Sequence, residues 1–188
     1  MAYYSTVDRT KHNLRVDDDG SNTVGTIWNK AEVGKSYDDL DKTFQLLGRA
    51  HVYRTAPQTL INDTFVPLLF DGEDMDDNAM HGPGESRLTI GLQQGGHYLV
   101  GASVTYAANP TGVRGLRLYK NTSIDVHTGV FQAAAGGAIG VTVQLHTILL
   151  IGPGDYLEVV GYQNSGGSLD IAYGPRVFGA DFWAIRIL

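Results

Sequence analysis

The alternation in residues 87–121, RLTIGLQQGGHYLVGASVTYAANPTGVRGLRLYKN, constrains this chain more than any other feature. Between His97 and Tyr106, Tyr98, Val100, Ala102, Val104 and Tyr106 fall on one face, and His97, Leu99, Gly101, Ser103 and Thr105 on the other. Strand side chains alternate between faces, so period two predicts a half-buried antiparallel strand. No clean stripe at three-and-four spacing argues for a helix instead. Gly95-Gly96 reads as a tight hairpin between this run and Arg87–Leu92, because glycine takes positive φ without a Cβ penalty. A third run, Val113–Lys120, follows the Asn-Pro-Thr-Gly break. Strict alternation puts Arg114, Leu116, Leu118 and Lys120 on one of its sides.

The same pattern continues on both sides of this stretch. Ala50–Thr55, Phe65–Phe70, Val126–Ala135, Ile139–Ile151, Tyr156–Tyr162, Ser168–Tyr173 and Phe178–Leu188 read as strands, with Pro67 favouring a sheet edge. Asp71–Asn78 reads as an acidic loop, and Gly136–Gly140 as a hairpin. The far end of Ile139–Ile151 is apolar on both faces, which predicts cover from the core on one side and from a partner subunit on the other. The last run carries Phe182, Trp183, Ile185 and Ile187. An exposed edge that apolar would invite aggregation, so this strand is expected in the middle of a sheet. Eight to ten short strands, 24 glycines and no second helix predict an all-β jelly roll of two packed antiparallel sheets.

One helix is predicted, over about 36–47. Ser36 caps it, Asp39 stands where a capping box places its acid, and Gly48 ends it. Val33, Tyr37, Leu40, Phe44 and Leu47 are spaced 4, 3, 4 and 3 apart. That is the seam of a short coiled coil, or equally the buried stripe of one amphipathic helix. The chain therefore divides into an N-terminal attachment segment, 1–48, and a β-domain, 50–188.

Composition and motifs exclude several classes. The net charge is −6 and no basic run exists, which argues against a nucleic-acid partner. No apolar stretch reaches the roughly 20 residues of a membrane span, and the N-terminus has no apolar h-region of a secretory signal. There is no cysteine, so neither disulfides nor thiolate metal sites can form. Counting an EF-hand loop from Asp17 puts Asn22 and Trp28 where glycine and glutamate are required. The six histidines, 12, 51, 81, 97, 127 and 146, form no close ligand pair. No G-x-S-x-G elbow or phosphate-binding glycine loop appears, and no pair of carboxylates is singled out for acid–base work. Asn62-Asp-Thr64 and Asn121-Thr-Ser123 fit the glycosylation sequon, but without a secretory signal they read as loop chemistry. The expected function is non-enzymatic, with no cofactor.

Several motifs, in order, carry a resemblance. They are Phe70-Asp71 with the acidic 74–77 stretch, Gly96-His-Tyr98-Leu-Val100, Gly115-Leu-Arg-Leu-Tyr-Lys-Asn121, Gly154-Asp155-Tyr156-Leu-Glu-Val159 and Phe182-Trp-Ala-Ile-Arg-Ile-Leu188. Across about 50–188 these resemble the complement C1q globular domain, itself similar to tumour necrosis factor. Asn109–Arg114 and Gln163–Gly166 resemble the bacterial and bacteriophage branch, and Val24–Ala31 is similar to a segment preceding such domains in phage structural proteins. The resemblance implies a ten-stranded jelly roll and a tight homotrimer whose axis is lined by apolar and aromatic residues. It implies binding by loops and side walls rather than catalysis. Some members bind calcium near the trimer apex, for which Asp74, Asp76 and Asp77 are the candidates here. The collagen Gly-X-Y stalk of many animal members is missing, so immune recognition is not implied.

These readings converge on a bacteriophage virion structural protein: a trimeric fibre, spike or capsid decoration protein on the virion surface, assembled in the host cytoplasm. Ile27, Trp28, Tyr37, Leu40, Phe44 and Leu47 would anchor it to other virion proteins of capsid or tail. Tyr98, Tyr119, Ile148, Leu150, Tyr156, Phe182, Trp183, Ile185 and Ile187 are the candidate trimer contacts. Loops 71–86, 107–113, 121–125 and 163–168 would be displayed, for a host-surface glycan or protein or as plain decoration. The alternative is a carbohydrate-binding or adhesion module of a bacterial surface.

Overall fold

The period-two run around residues 96–106 forms one of the two longest strands of the larger of two sheets, each of 11 residues. The structure is a computed structural model, and it describes residues 48–121, 126–136, 140–173 and 179–187. All of them lie in the unit Thr43–Leu188, and the fold is that unit's own. The predicted helix at 36–47 and the six anchor candidates, Ile27, Trp28, Tyr37, Leu40, Phe44 and Leu47, lie outside the described residues.

Twelve strands are present and no helix is found among the described residues. In chain order they are β1 (Arg49–Tyr53), β2 (Gln58–Leu60), β3 (Val66–Pro67), β4 (Gly72–Asp76), β5 (Arg87–Thr89) and β6 (Gly96–Tyr106), followed by β7 (Val113–Lys120), β8 (Val126–Ala133), β9 (Val141–Ile151), β10 (Tyr156–Gln163), β11 (Leu169–Ile171) and β12 (Ala180–Arg186). One sheet has seven strands in the order β2-β11-β6-β12-β1-β4, with β9 on the other flank of β6. The second has five, β3-β10-β7-β8, with β5 also on β10. Every pairing is antiparallel. The fold is all-β, two antiparallel sheets packed as a jelly roll.

The core lies between the sheets and is built by alternation. Tyr98, Val100, Ala102, Val104 and Tyr106 of β6 are fully buried, as are Leu116 and Leu118 of β7 and Ala180, Phe182 and Ala184 of β12. The apolar C-terminal strand is central, between β6 and β1, as its composition requires. Pro67 sits in β3 at the end of the five-stranded sheet, where its missing N–H costs no ladder bond. Arg114 takes the inward position that alternation gives it and is completely buried. Its guanidinium donates to the carbonyls of Asn109, Thr111 and Val113, pinning the 107–113 loop to the end of the sandwich.

Three sequence expectations need correction. Gly95-Gly96 is not a hairpin: β5 pairs with β10 in one sheet while β6 belongs to the other, so the glycines carry the chain between sheets. Alternation fixes which way side chains point, not which strand lies alongside. The stretch from Gly136 likewise joins β8 and β9 of different sheets rather than closing a hairpin. The acidic stretch is a strand, not a loop. β4 pairs with β1 through a bulge between His51 and Val52 and forms the sheet's last strand. Carboxylates are poor strand formers in general, but at an edge they keep a second chain from pairing.

Candidate functional site

Among the described residues the candidate sites are the two outward sheet faces. On the seven-stranded sheet, the outward positions of β9 are Thr142, Gln144, His146, Ile148 and Leu150, and all five are exposed. Ile148 is 59% exposed and Leu150 67%; Leu99 beside them on β6 is 37% exposed, and Ile187 is 44%. Trp183 and Ile185 of β12 continue this face, half-buried. The indole of Trp183 lies over its register partner Gly101, where an added Cβ would come within 2.2 Å of the ring. Glycine at 101 is what lets the tryptophan lie flat on the sheet.

Next to this apolar surface is an open depression of about 420 Å³ lined by His51, Met75, Ser103, Asp181, Trp183 and Ile185. His51 Nδ1 lies 3.4 Å from Asp74 and Nε2 lies 3.5 Å from Asp181, and the imidazole meets Trp183 edge-on at 6.2 Å. Ser103, His51 and two aspartates are the ingredients of a nucleophilic site. Here both imidazole nitrogens face carboxylates, so neither is oriented to take a proton from Ser103, whose Oγ accepts a hydrogen bond from Gln144.

The five-stranded sheet presents a different surface. Phe65, Tyr162 and Phe131 form a row across it, with centroids 4.8 Å apart for Phe65–Tyr162, 5.8 Å for Phe131–Tyr162 and 6.2 Å for Phe65–Phe131. The Phe131 ring lies over Gly115, where a Cβ would meet it at 2.5 Å. Arg117, in the next row, holds its guanidinium 4.0 Å above Phe65 and 5.5 Å from Phe131. Tyr162 donates its hydroxyl to Asp63, and this bond pushes the phenol's pKa up.

The nine candidate trimer residues divide three ways. Ile148, Leu150, Trp183, Ile185 and Ile187 share the outward face of the seven-stranded sheet or its continuation. Tyr119 and Tyr156 lie in strands of the other sheet, where the Arg87 guanidinium sits 4.3 Å over Tyr156. Tyr98 and Phe182 are a correction. Both are completely buried inside the sandwich, Tyr98 donating to the Gln94 carbonyl and Phe182 packing on Phe70, so neither can touch another chain. Their strand positions carried this information, since 98 shares a face with Val100 and 182 with Ala184.

Asp74, Asp76 and Asp77 do not fit a shared calcium ion. Asp74 faces His51, Asp76 accepts the N–H groups of Met80 and His81, and Asp77 pairs with Arg49 at 2.6 Å. Among the described residues no three acidic or histidine side chains converge as a metal site. The sequence reading missed the Phe65–Arg117–Phe131–Tyr162 cluster, because its members come from four segments that only the pairing register aligns.

The architecture is that of the C1q/TNF-like jelly roll. The globular domain of zebrafish complement 1qA protein is similar with a TM-score of 0.51 at 14% identity, covering 75% of this chain and 98% of that one. Murine APRIL, crystallised at pH 8.0, gives 0.57 at 9% identity over 75% of this chain and 99% of its own. Eiger TNF from S. frugiperda gives 0.51 at 13% identity over 76% and 93%. No protein-family model and no curated protein sequence matches the chain.

Proposed function

We propose that the β-domain is a non-enzymatic display module that assembles as a homotrimer through the outward face of its seven-stranded sheet. The observation that carries this reading is the side-by-side exposure of Leu99, Ile148 and Leu150, continued by half-buried Trp183 and Ile185. Scattered surface apolar residues need no explanation, but a contiguous group flanking a tryptophan marks a contact surface. A cyclic assembly buries the same patch on every copy. In the full chain, residues 1–48 would attach this head to a capsid or tail, making it a bacteriophage virion structural protein that faces the host surface. The phage-like segments of the sequence support that placement. The carbohydrate-binding or adhesion reading shares the same head and differs in what carries it.

Two experiments test this. Ile148→Glu with Leu150→Glu places two carboxylates on the proposed contact while leaving the core untouched. Sedimentation velocity should show the trimer reduced to monomer with an unchanged circular dichroism spectrum; an unchanged mass would refute the contact. Removing residues 1–48 should leave a folded trimer that no longer joins a particle, and retained incorporation would refute the attachment role.

A further inference from the structure

The aromatic row on the five-stranded sheet has a chemistry that the display reading does not use. Arg49 pairs with Asp77, Arg87 with Glu158, and Arg54 and Arg114 donate to backbone carbonyls, the buried Arg114 Nε alone lacking a partner among the described residues. Arg117 makes no hydrogen bond and no ion pair among the described residues; its contacts are the two phenyl rings. Although the net charge of the chain is −6, no acid of the described residues stands against this guanidinium. Its register partners are Val160 on one side and Gly129 on the other, and Gly129 leaves the flank toward β8 without a side chain. The rings hold the planar fork in place, so little rotamer freedom remains to be lost when an anion docks. A guanidinium so presented matches a carboxylate in two parallel hydrogen bonds.

Around this cation stand rings and an acceptor. Phe131 is 47% exposed and Tyr162 half-buried beside it. At the rim, the exposed Asp63 carboxylate accepts the Tyr162 hydroxyl and can accept further hydroxyl donors. We propose that this face binds a carboxylate-bearing saccharide, a uronic or sialic acid unit, with Arg117 pairing its carboxylate, Phe131 and Tyr162 stacking on its C–H face and Asp63 accepting its hydroxyls. One small ring carrying a carboxylate, hydroxyl donors and an apolar face answers all three features. An acidic peptide would supply the carboxylate, but not a saturated ring that stacks its C–H face on Phe131 and Tyr162 while turning several hydroxyls toward Asp63. All the binding groups come from one protomer. The proposal rests on the display reading only in that this face stays outside the assembly.

The test uses the full chain on a surface carrying oligogalacturonate, hyaluronan oligosaccharides and sialyllactose, each beside its carboxyl-reduced counterpart. Binding to at least one acidic glycan is expected. Carboxyl reduction or Arg117→Met, which keeps an apolar stem over Phe65, should each weaken it by about ten- to a hundredfold, the size of a lost charge-assisted pair. Phe131→Ala should weaken it comparably, and Arg117→Lys less than Arg117→Met. No binding to any acidic glycan, binding of neutral glycans alone, or binding indifferent to Arg117→Met would overturn the proposal. Sedimentation velocity on the same samples separates the two readings. A monomer that still binds glycan defeats the trimer alone, and a trimer that binds none defeats this site alone.

Discussion

The flat seat of Trp183 on Gly101 gives the sharpest single prediction. A Cβ at 101 would stand 2.2 Å from the indole Cζ2 and 2.5 Å from Cε2. Carbon pairs rest at about 3.5–4.0 Å, so the ring must retreat by roughly 1.3–1.8 Å or the β6–β12 ladder must open. Overpacking of this kind costs about 1–3 kcal/mol, against about 0.5–1 kcal/mol gained in a strand by replacing glycine with alanine. Gly101→Ala should therefore destabilise by about 1–2 kcal/mol on balance. In a Trp183→Ala background the obstacle is gone, and the same change should be neutral or slightly stabilising. Denaturant unfolding of the four proteins at one fixed protein concentration closes the cycle, with an expected coupling of about 1–3 kcal/mol. If Gly101→Ala costs as much without the tryptophan as with it, the steric reasoning is wrong.

Other predictions follow from single contacts. Tyr106 is fully buried with its hydroxyl donating to the Gly115 carbonyl at 2.6 Å, and burial pushes its pKa up. Tyr106→Phe should cost about 1–2 kcal/mol in a urea melt, and no cost would mean that the bond contributes nothing. Hydrogen bonds from Lys120 and Asn121, then the Gly152 N–H, hold the Asp155 carboxyl below the usual carboxylate range. A depressed carboxylate stabilises fully above its unfolded pKa and loses that contribution as pH falls through the folded value. The stability gap between wild type and Asp155→Asn should thus be complete at neutral pH and shrink below about pH 4. A gap independent of pH would rule out the ion pair as its source. His81, whose side chain is wholly buried, ties Glu73 of β4 to the 81–86 loop through Nδ1 at 2.9 Å and the Glu85 carbonyl. His81→Ala should speed amide exchange at Gly84 and Phe70, which bond across this loop, while leaving β6 protected.

Most of the sandwich was legible because alternation is a local property. The strands from Val113 to Lys120 and from His97 to Tyr106 read almost residue for residue, and the apolar C-terminal strand declared its central place. What alternation cannot encode is pairing across distance. The Gly95-Gly96 turn reads equally as a hairpin or as a passage between sheets, and only the β5–β10 register decides. β4 was hidden because an edge strand can carry Glu73, Asp74 and Asp76, which composition assigns to a loop. Aromatic character makes Tyr98 and Phe182 read as contact residues, whereas strand parity, shared with Val100 and Ala184, puts them inside. The Arg117 cluster could not be read at all, since Phe65, Arg117, Phe131 and Tyr162 are neighbours only once four segments, at β3, β7, β8 and β10, have been laid side by side.

In the proposed trimer the outward face of the seven-stranded sheet is covered by other copies of the same chain. Sedimentation velocity of the wild-type protein at micromolar concentration measures this directly. A species of three times 20.3 kDa, persisting on dilution, is the predicted result. A single stable species of 20.3 kDa with Ile148 and Leu150 left in water would contradict it.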